Sequence, residues 1–474
     1  MTTVSTLSRI LAVSAAASVL TACAVGPRAP DADLPLMASG AFTGSQTAAV
    51  SPDAARDDWW RLYQDPTLDA LIAQAFAENN ELEAAAANLR AVRASLSEAR
   101  AGRFPATSAS ASGQRSQGSA ATSATGAQLP EADVYDVGLD ASYEIDLFGR
   151  IGSSIRAARA DADAQEAALN TVRVTVAAET ARAYADACSA NAQIGVAERT
   201  IELQQNTADL TRRLLEGGAG TGLDTARAQS ALASTRASLP TLRAARDAAL
   251  FRLATLTGRT PAEASDAARQ CARPPQLSQP IPVGDGAALL ARRPDVRQAE
   301  RQLAAAAARV NVATASLYPT ISLGGSFGST ALDSSDLGDD QNFRFSFGPL
   351  ISWSFPNILV ARARIAQTGA LTEAALATFD QTVLAALQET ETALSNYANE
   401  LDRRQALSEA RDRAADAARL SRLRFDAGAD NFLTVLDSER TLASADATLA
   451  QSDALVTTYQ IALFKALAGG WGQG

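Results

Sequence analysis

The chain has 474 residues, 47% of them hydrophobic but only 5% aromatic, so it can bury large cores while relying on small side chains. Heavy use of alanine favours long, closely packed helices over an ordinary mixed globule. The net charge of −10 argues against a nucleic-acid partner, which needs a basic footprint. The sequence contains no His, which removes the commonest general base and metal ligand. No Cys cluster and no Gly-rich phosphate loop after a strand is present, so nothing points to an enzyme, a cofactor or a metal.

At the N-terminus, Arg9 precedes an apolar run from Ile10 to Leu20. That run is too short to span a bilayer, which takes about 20 apolar residues, but it suits a signal peptide. It ends in Leu20-Thr21-Ala22-Cys23, which resembles a lipoprotein processing box. Residues 1–22 therefore read as a lipoprotein signal peptide, with a lipid on the Cys23 thiol. Ala24 follows, rather than the Asp that commonly retains lipoproteins at the inner membrane, and this implies sorting to the outer membrane. Residues 23–64 read as a lipidated extended arm, pinned to the body by Trp59, Trp60 and Tyr63. The other cysteines, Cys188 and Cys271, fall in a helix and in a Pro-rich connector. A single pair so far apart has no framework logic, and both read as free thiols.

Asp65-Pro66 supplies an N-cap and a first-turn proline for a helix over about 68–101, in which Leu82, Leu89 and Leu96 lie seven apart. Phe104-Pro105 ends it. A small/polar strand over about 104–114 and a Ser/Thr/Gly-rich loop follow. The strand over about 134–148 has a clear period of two. Tyr135, Val137, Leu139, Ala141, Tyr143, Ile145 and Leu147 face one way; Asp136, Gly138, Asp140, Ser142, Glu144 and Asp146 face the other. A helical pattern then runs from Arg150 to about Glu216, about 100 Å at 1.5 Å per residue. No globular core needs a helix of that length. A turn at Gly217–Gly222 reverses the chain into a helix over about 223–257, which stops at Gly258. Placed end to end, the helices over 68–101 and 223–257 match the long helix in length.

After a Pro-punctuated connector over 259–290, the plan recurs. A helix spans about 295–317, and Tyr318-Pro319 echoes Phe104-Pro105. Strands follow over about 319–328 and 342–355, separated by an acidic loop. In the second strand Phe343, Phe345, Phe347, Ile351, Trp353 and Phe355 share a face. A long helix runs from Val360 to Phe425, with Leu387, Leu394 and Leu401 again seven apart. It breaks at Ala427-Gly428 and restarts near Asn431 to reach Leu467, where Gly469 matches Gly258. The chain is thus two repeats, 65–258 and 291–469, with a tail over 470–474. Two strand pairs with one apolar face each make no stable sheet alone. A closed barrel assembled from several chains removes the edges, and the strands have the length and alternation of membrane barrel strands.

Several short motifs, in this order and duplicated, resemble the TolC/OprM family of outer-membrane channels, and most of all its NodT-type efflux lipoproteins. They are Cys-Ala-Val-Gly-Pro at 23–27, Trp59-Trp60 with Asp65-Pro66-Thr67-Leu68, and EIDLFGR at 144–150. Arg292-Arg293-Pro294-Asp295 with Ala299-Glu300, Tyr318-Pro319 with Ile321-Ser322-Leu323, and the two Gly turns complete the set. The resemblance covers essentially the whole mature chain. It implies a mainly α protein with a membrane β-barrel. Each protomer of a homotrimer would give four strands to the barrel and coiled-coil helices to a periplasmic tube. It implies an outer-membrane location and the role of exit duct in a tripartite efflux pump for drugs or other small toxic solutes. The partners would be a periplasmic adaptor and an inner-membrane transporter of the RND type. The same fold can serve type I protein secretion. A periplasmic adaptor lipoprotein would have one hairpin between β-rich modules, which the duplicated strand pairs and two hairpins disfavour.

The resemblance makes the Gly turns the periplasmic tips. Gly218, Ala219, Thr221, Gly428, Ala429 and Asp430 would meet the adaptor. The family closes its aperture with charged residues just after the turn, and the matching positions are Asp437 and Arg440, with Asp224 and Arg227 in the first half. Each pair is three residues apart and shares a helix face. Read from the residues alone, each could equally be a solvated pair of little worth; the resemblance favours the gate for Asp437. Two positions depart from the family: Phe425 stands where a Tyr is frequent, and Asp430 where some members have Arg.

Overall fold

The computed structural model describes residues 25–27, 30, 40–45, 47–122, 126–128, 130–277, 279–353 and 358–469. The signal peptide, Cys23, most of the arm before Gly40, Ser354 to Pro356 and the tail lie outside the described residues. The described elements begin with a 3-10 turn, Thr43–Ser45, a short strand, β1 (Val50–Ser51), and a second 3-10 turn, Trp59–Tyr63. The first repeat then gives helices α1 (Pro66–Glu78) and α2 (Asn80–Ala101) and strands β2 (Ala106–Ser116) and β3 (Ala132–Ile145). The long helix α3 (Arg150–Glu216) and its return helix α4 (Gly222–Leu256) complete it. The connector holds α5 (Asp266–Arg269), β4 (Ile281–Pro282) and α6 (Gly286–Arg292). The second repeat gives α7 (Pro294–Ala315), β5 (Thr320–Ala331), β6 (Phe343–Ser352), the long helix α8 (Ile358–Asp426) and α9 (Phe432–Ala466). All four long strands lie within a few residues of where the alternation puts them.

The chain divides into two compact units, each drawing on both repeats. The first includes Leu89–Gln165 and Ala299–Phe379. Its sheet is antiparallel throughout in the order β2-β3-β5-β6. The register aligns one apolar row across strands: Leu139 lies opposite Phe327, which lies opposite Phe345, and Ile145, Ile321 and Ile351 line up likewise. This face is open to its surroundings, with Phe345 79% exposed, Phe347 77% and Ile351 67%. The opposite face carries Asp136, Thr330 and Arg344 in one cluster. The Arg344 guanidinium donates to Asp136 at 2.8 Å, and Thr330 Oγ1 donates to the same carboxylate at 2.6 Å. Val134 and Leu350 are large apolar residues on that same face. Within this unit α2 packs on α3 through Leu96, Ile151 and Ile155. Among the described residues no helix is long and apolar enough to cross a membrane.

The second unit includes Asp33–Asn88, Glu166–Gln298 and Asp380–Gly474. Its core gathers α1, the middle of α3, the end of α4 and the end of α9 around Trp59, which stacks on Phe464 at 4.7 Å. The alanines of α3 make this possible. Ala177, Ala178, Ala181, Ala183, Ala185 and Ala187 are at most 2% exposed, so the helix is buried on several sides at once, as an all-round apolar helix must be. The arm is fixed where the tryptophans predict, and also by strand β1, which pairs in parallel with β4 of the connector.

Three expectations are corrected. The single helix over 68–101 is two helices. Asn79 between them is extended (φ −75°, ψ 123°) and 5% exposed. Its Oδ1 accepts from the Glu81 and Leu82 N–H groups as the cap of α2, while Nδ2 donates to the Leu256 carbonyl at the end of α4. The second correction concerns the cysteines. Cys188 and Cys271 form a disulfide, because Asn191 draws the connector onto α3 by donating to the carbonyls of Arg269 (3.0 Å) and Cys271 (2.8 Å). The third concerns the end of α9. Ala468, not Gly469, takes the left-handed conformation that Gly258 has at the end of α4 (φ 54° and 70°). Gly469 is needed for space, since a β-carbon there would lie 2.5 Å from the Trp59 ring.

Candidate functional site at the hairpin turns

Both Gly turns are built from the same bonds. At the first, Ala219 N–H donates to the Leu214 carbonyl (2.9 Å) and Gly218 N–H to the Leu215 carbonyl (3.1 Å). At the second, Ala429 donates to Arg424 (2.8 Å) and Gly428 to Phe425 (2.8 Å). This is the Schellman pattern, which puts a left-handed residue just past the helix end and favours Gly there. Gly218 has φ 71° and Gly428 φ 74°. Each return helix is then capped by a side chain: Thr221 accepts from Asp224 N–H, and Asn431 from Thr434 N–H. The tips Gly218, Ala219, Thr221, Gly428 and Ala429 are exposed.

Beside the turns the three helices α3, α4 and α9 are held by a small apolar cluster of Ala208, Ala228, Leu232, Phe432 and Leu436. Phe425 packs edge-on against Phe432 at 5.9 Å, so the position where the family favours Tyr serves packing here. Just behind it lies a polar junction that sequence reasoning missed. Glu439 is 4% exposed. Its carboxylate accepts from Thr207 Oγ1 (2.9 Å) and from the Arg422 guanidinium, which also donates to Thr207 (3.0 Å). One carboxylate thereby ties α3, α8 and α9 together. In sequence Glu439 looks like any charged position two residues past Asp437; only the approach of Thr207 from a distant helix buries it.

The other departure also finds a partner. Asp430 accepts two bonds from Arg424 across its own turn, at 2.7 and 3.0 Å. Those bonds hold its carboxyl below the usual carboxylate range. The expected gate residues are placed differently. Asp224 accepts from Thr221 Oγ1 at 2.6 Å in the first cap. Asp437, Arg440 and Arg227 are exposed, and none of the three makes a salt bridge among the described residues. Asp437 and Arg440 therefore stand about one and a half and two and a half helical turns past Asn431, with no salt bridge to commit their charges among the described residues.

Long helical hairpins joined to a sheet with one apolar face recur in known proteins. The profile of the family described as outer membrane efflux protein matches residues 71–259 and 287–469. The chain is 30% identical over 469 residues to the probable efflux pump outer membrane protein TtgC of Pseudomonas putida, covering 98% of this chain and 96% of that one. It is 33% identical over 426 residues to the pyoverdine export outer membrane protein OpmQ of Pseudomonas aeruginosa, covering 87% of each. Among solved structures, the outer-membrane channel OprN superposes with a TM-score of 0.89 at 35% identity, covering 95% of this chain and 100% of the other. The fold is TolC-like, and the match runs through both repeats and both hairpins, so the chain belongs to the outer membrane efflux protein family, as an outer-membrane channel and not an enzyme.

Proposed function

We propose that three copies of this chain form a passive exit duct for small toxic solutes, closed at the hairpin turns until a pump engages it. The observation that carries the reading is the sheet: four strands, two of them edges, with one face on which apolar side chains predominate. One chain cannot finish such a sheet in a bilayer, because every edge N–H and C=O needs a partner there. Three copies give about twelve strands, an even number as outer-membrane barrels have. A periplasmic adaptor would meet the tips at Gly218, Ala219, Thr221, Gly428, Ala429 and Asp430, and an RND-type transporter in the inner membrane would supply the energy. Relatives of similar identity bear names of different cargo, which supports a tolerant duct with selection made in the pump.

The lipid anchor at Cys23 is part of the same reading. Gly26, three residues on, sits against α7: a β-carbon on it would lie 1.9 Å from Asn311 Oδ1. Asn311 is one turn before the end of α7, and β5 with its apolar face begins at Thr320. Three residues span at most about 10 Å, so a lipid on Cys23 would emerge near the start of the membrane-facing strands.

The gate follows from the uncommitted charges. Asp437 and Arg440 would pair with neighbouring helices of the assembly and narrow the tube, with Asp224 and Arg227 as their first-repeat counterparts. Rings of charge of this kind also set ion preference. The test is Asp437→Ala with Arg440→Ala in a planar bilayer. Conductance rises if the pair closes the aperture, and an unchanged conductance ends the assignment.

A further inference from the structure

A cleft of about 670 Å³ opens beside the disulfide, between α3, the connector and the α8–α9 pair. Its lining carries four arginines, Arg199, Arg269, Arg273 and Arg404, and a single carboxylate, Asp453. That carboxylate is taken, since Arg404 Nε donates to it at 2.5 Å. Arg269 reaches only Asp266, at 3.9 Å, and Asp266 is 90% exposed. Arg199 and Arg273 make no salt bridge among the described residues. The cleft thus holds an excess of three positive charges in a chain whose net charge is −10.

The arrangement is fixed rather than incidental. The connector that brings Arg269 and Arg273 to the cleft is bonded to α3 by the Cys188–Cys271 disulfide. The same turn is held by the two Asn191 hydrogen bonds to the Arg269 and Cys271 carbonyls. Arg199 and Asn191 come from the opposing wall, α3. Like charges held at close quarters repel, and a bound anion relieves that repulsion. Guanidinium forks match carboxylate and phosphate oxygens in pairs, and the volume lies within the ~300–1,000 Å³ of small-molecule sites.

We propose that this cleft is an anion-binding site, taking a ligand with two or more phosphate or carboxylate charges on Arg199, Arg269 and Arg273. It stands independently of the duct reading. The ligand chemistry has two sources: a soluble polyanion, or the carboxylates of the cell-wall polymer.

The test titrates inorganic pyrophosphate into the detergent-solubilised full chain by calorimetry. Arg199→Gln with Arg273→Gln should weaken binding about tenfold or more, the scale of a lost charge-assisted bond. Both side chains are exposed, so folding should survive, which the melting temperature without ligand checks. Arg243→Gln, whose side chain meets Glu198 outside the cleft, should leave binding unchanged. Cys188→Ser with Cys271→Ser should also weaken it by freeing the connector. No heat of binding, or equal affinity in the double arginine variant, overturns the proposal. Co-sedimentation with purified cell-wall sacculi that pyrophosphate competes away supports the site with the wall as source. Pyrophosphate binding without co-sedimentation supports it with a soluble ligand.

Discussion

Glu439 places its carboxylate in a buried junction, and its partners decide what that costs. Arg422 and Thr207 together satisfy both of its oxygens. Replacing Arg422 by Met would leave a buried carboxylate with one hydroxyl for company, and removing one partner of a buried pair costs about 3–5 kcal/mol. We expect Arg422→Met to lower the melting temperature clearly, and Arg422→Met with Glu439→Leu to recover most of the loss, because no orphaned charge remains. A double variant as unstable as the single would show that the junction is not held by this pair. The contrast with Asp437 shows what residue-level reading can reach. Asp437 was singled out through the resemblance, which marks its place after the turn; its part in a gate is the proposal made above. Glu439 was not, because its burial comes from Thr207, far away in the chain. Asp430 falls between: its departure from the family was visible, but its partner Arg424 needed the geometry of the turn. That exposed pair loses its attraction only as pH falls through the depressed carboxyl value, so the tip stays clasped at neutral pH.

At the scale of elements, glycines that look alike in sequence do different work. Gly428 and Gly258 both have positive φ. A β-carbon at Gly428 meets nothing within 4 Å, whereas one at Gly258 would lie 2.3 Å from the Glu78 carbonyl oxygen. Gly428→Ala should therefore cost only the left-handed strain of about 1–2 kcal/mol. Gly258→Ala should cost more, since the end of α1 must also move. Thermal unfolding of the two variants checks the order, and equal losses would refute the packing argument. The strands were legible because alternation is a local signal, and the hairpins because Gly marks each break. The interruption at Asn79 was legible in principle: Asn79 with Glu81 and Glu83 is a cap followed by an acidic first turn, and the heptad leucines Leu82, Leu89 and Leu96 all lie beyond it. The disulfide was not legible, because Cys188 and Cys271 are 83 residues apart and only the folded connector brings them together. Closing a loop of that length stabilises by about 4.5 kcal/mol in the chain-entropy account, so Cys188→Ala with Cys271→Ala should lower the unfolding midpoint. Peptide mapping without reductant should recover the two cysteines in one linked fragment.

At the scale of the whole molecule, the sheet separates two environments by the parity of residue number. Phe345 belongs to the apolar face, and its neighbour Ser346 to the face that holds Asp136 and Arg344. In an outer-membrane protein the first face meets lipid and the second meets the water of the duct. Arginine on the lipid face near the bilayer midplane costs about 2–4 kcal/mol, whereas a lumen position mainly tunes selectivity. Phe345→Arg should therefore reduce the amount of chain that reaches the membrane as a heat-modifiable species on gels. Ser346→Arg should insert normally and shift the reversal potential in a salt gradient toward anions, since it adds positive charge where ions pass. The two substitutions introduce the same side chain at adjacent positions, so any difference between them reports the face and not the residue. If both insert equally well, the apolar face does not meet lipid, and the twelve-stranded closure built on it falls with it.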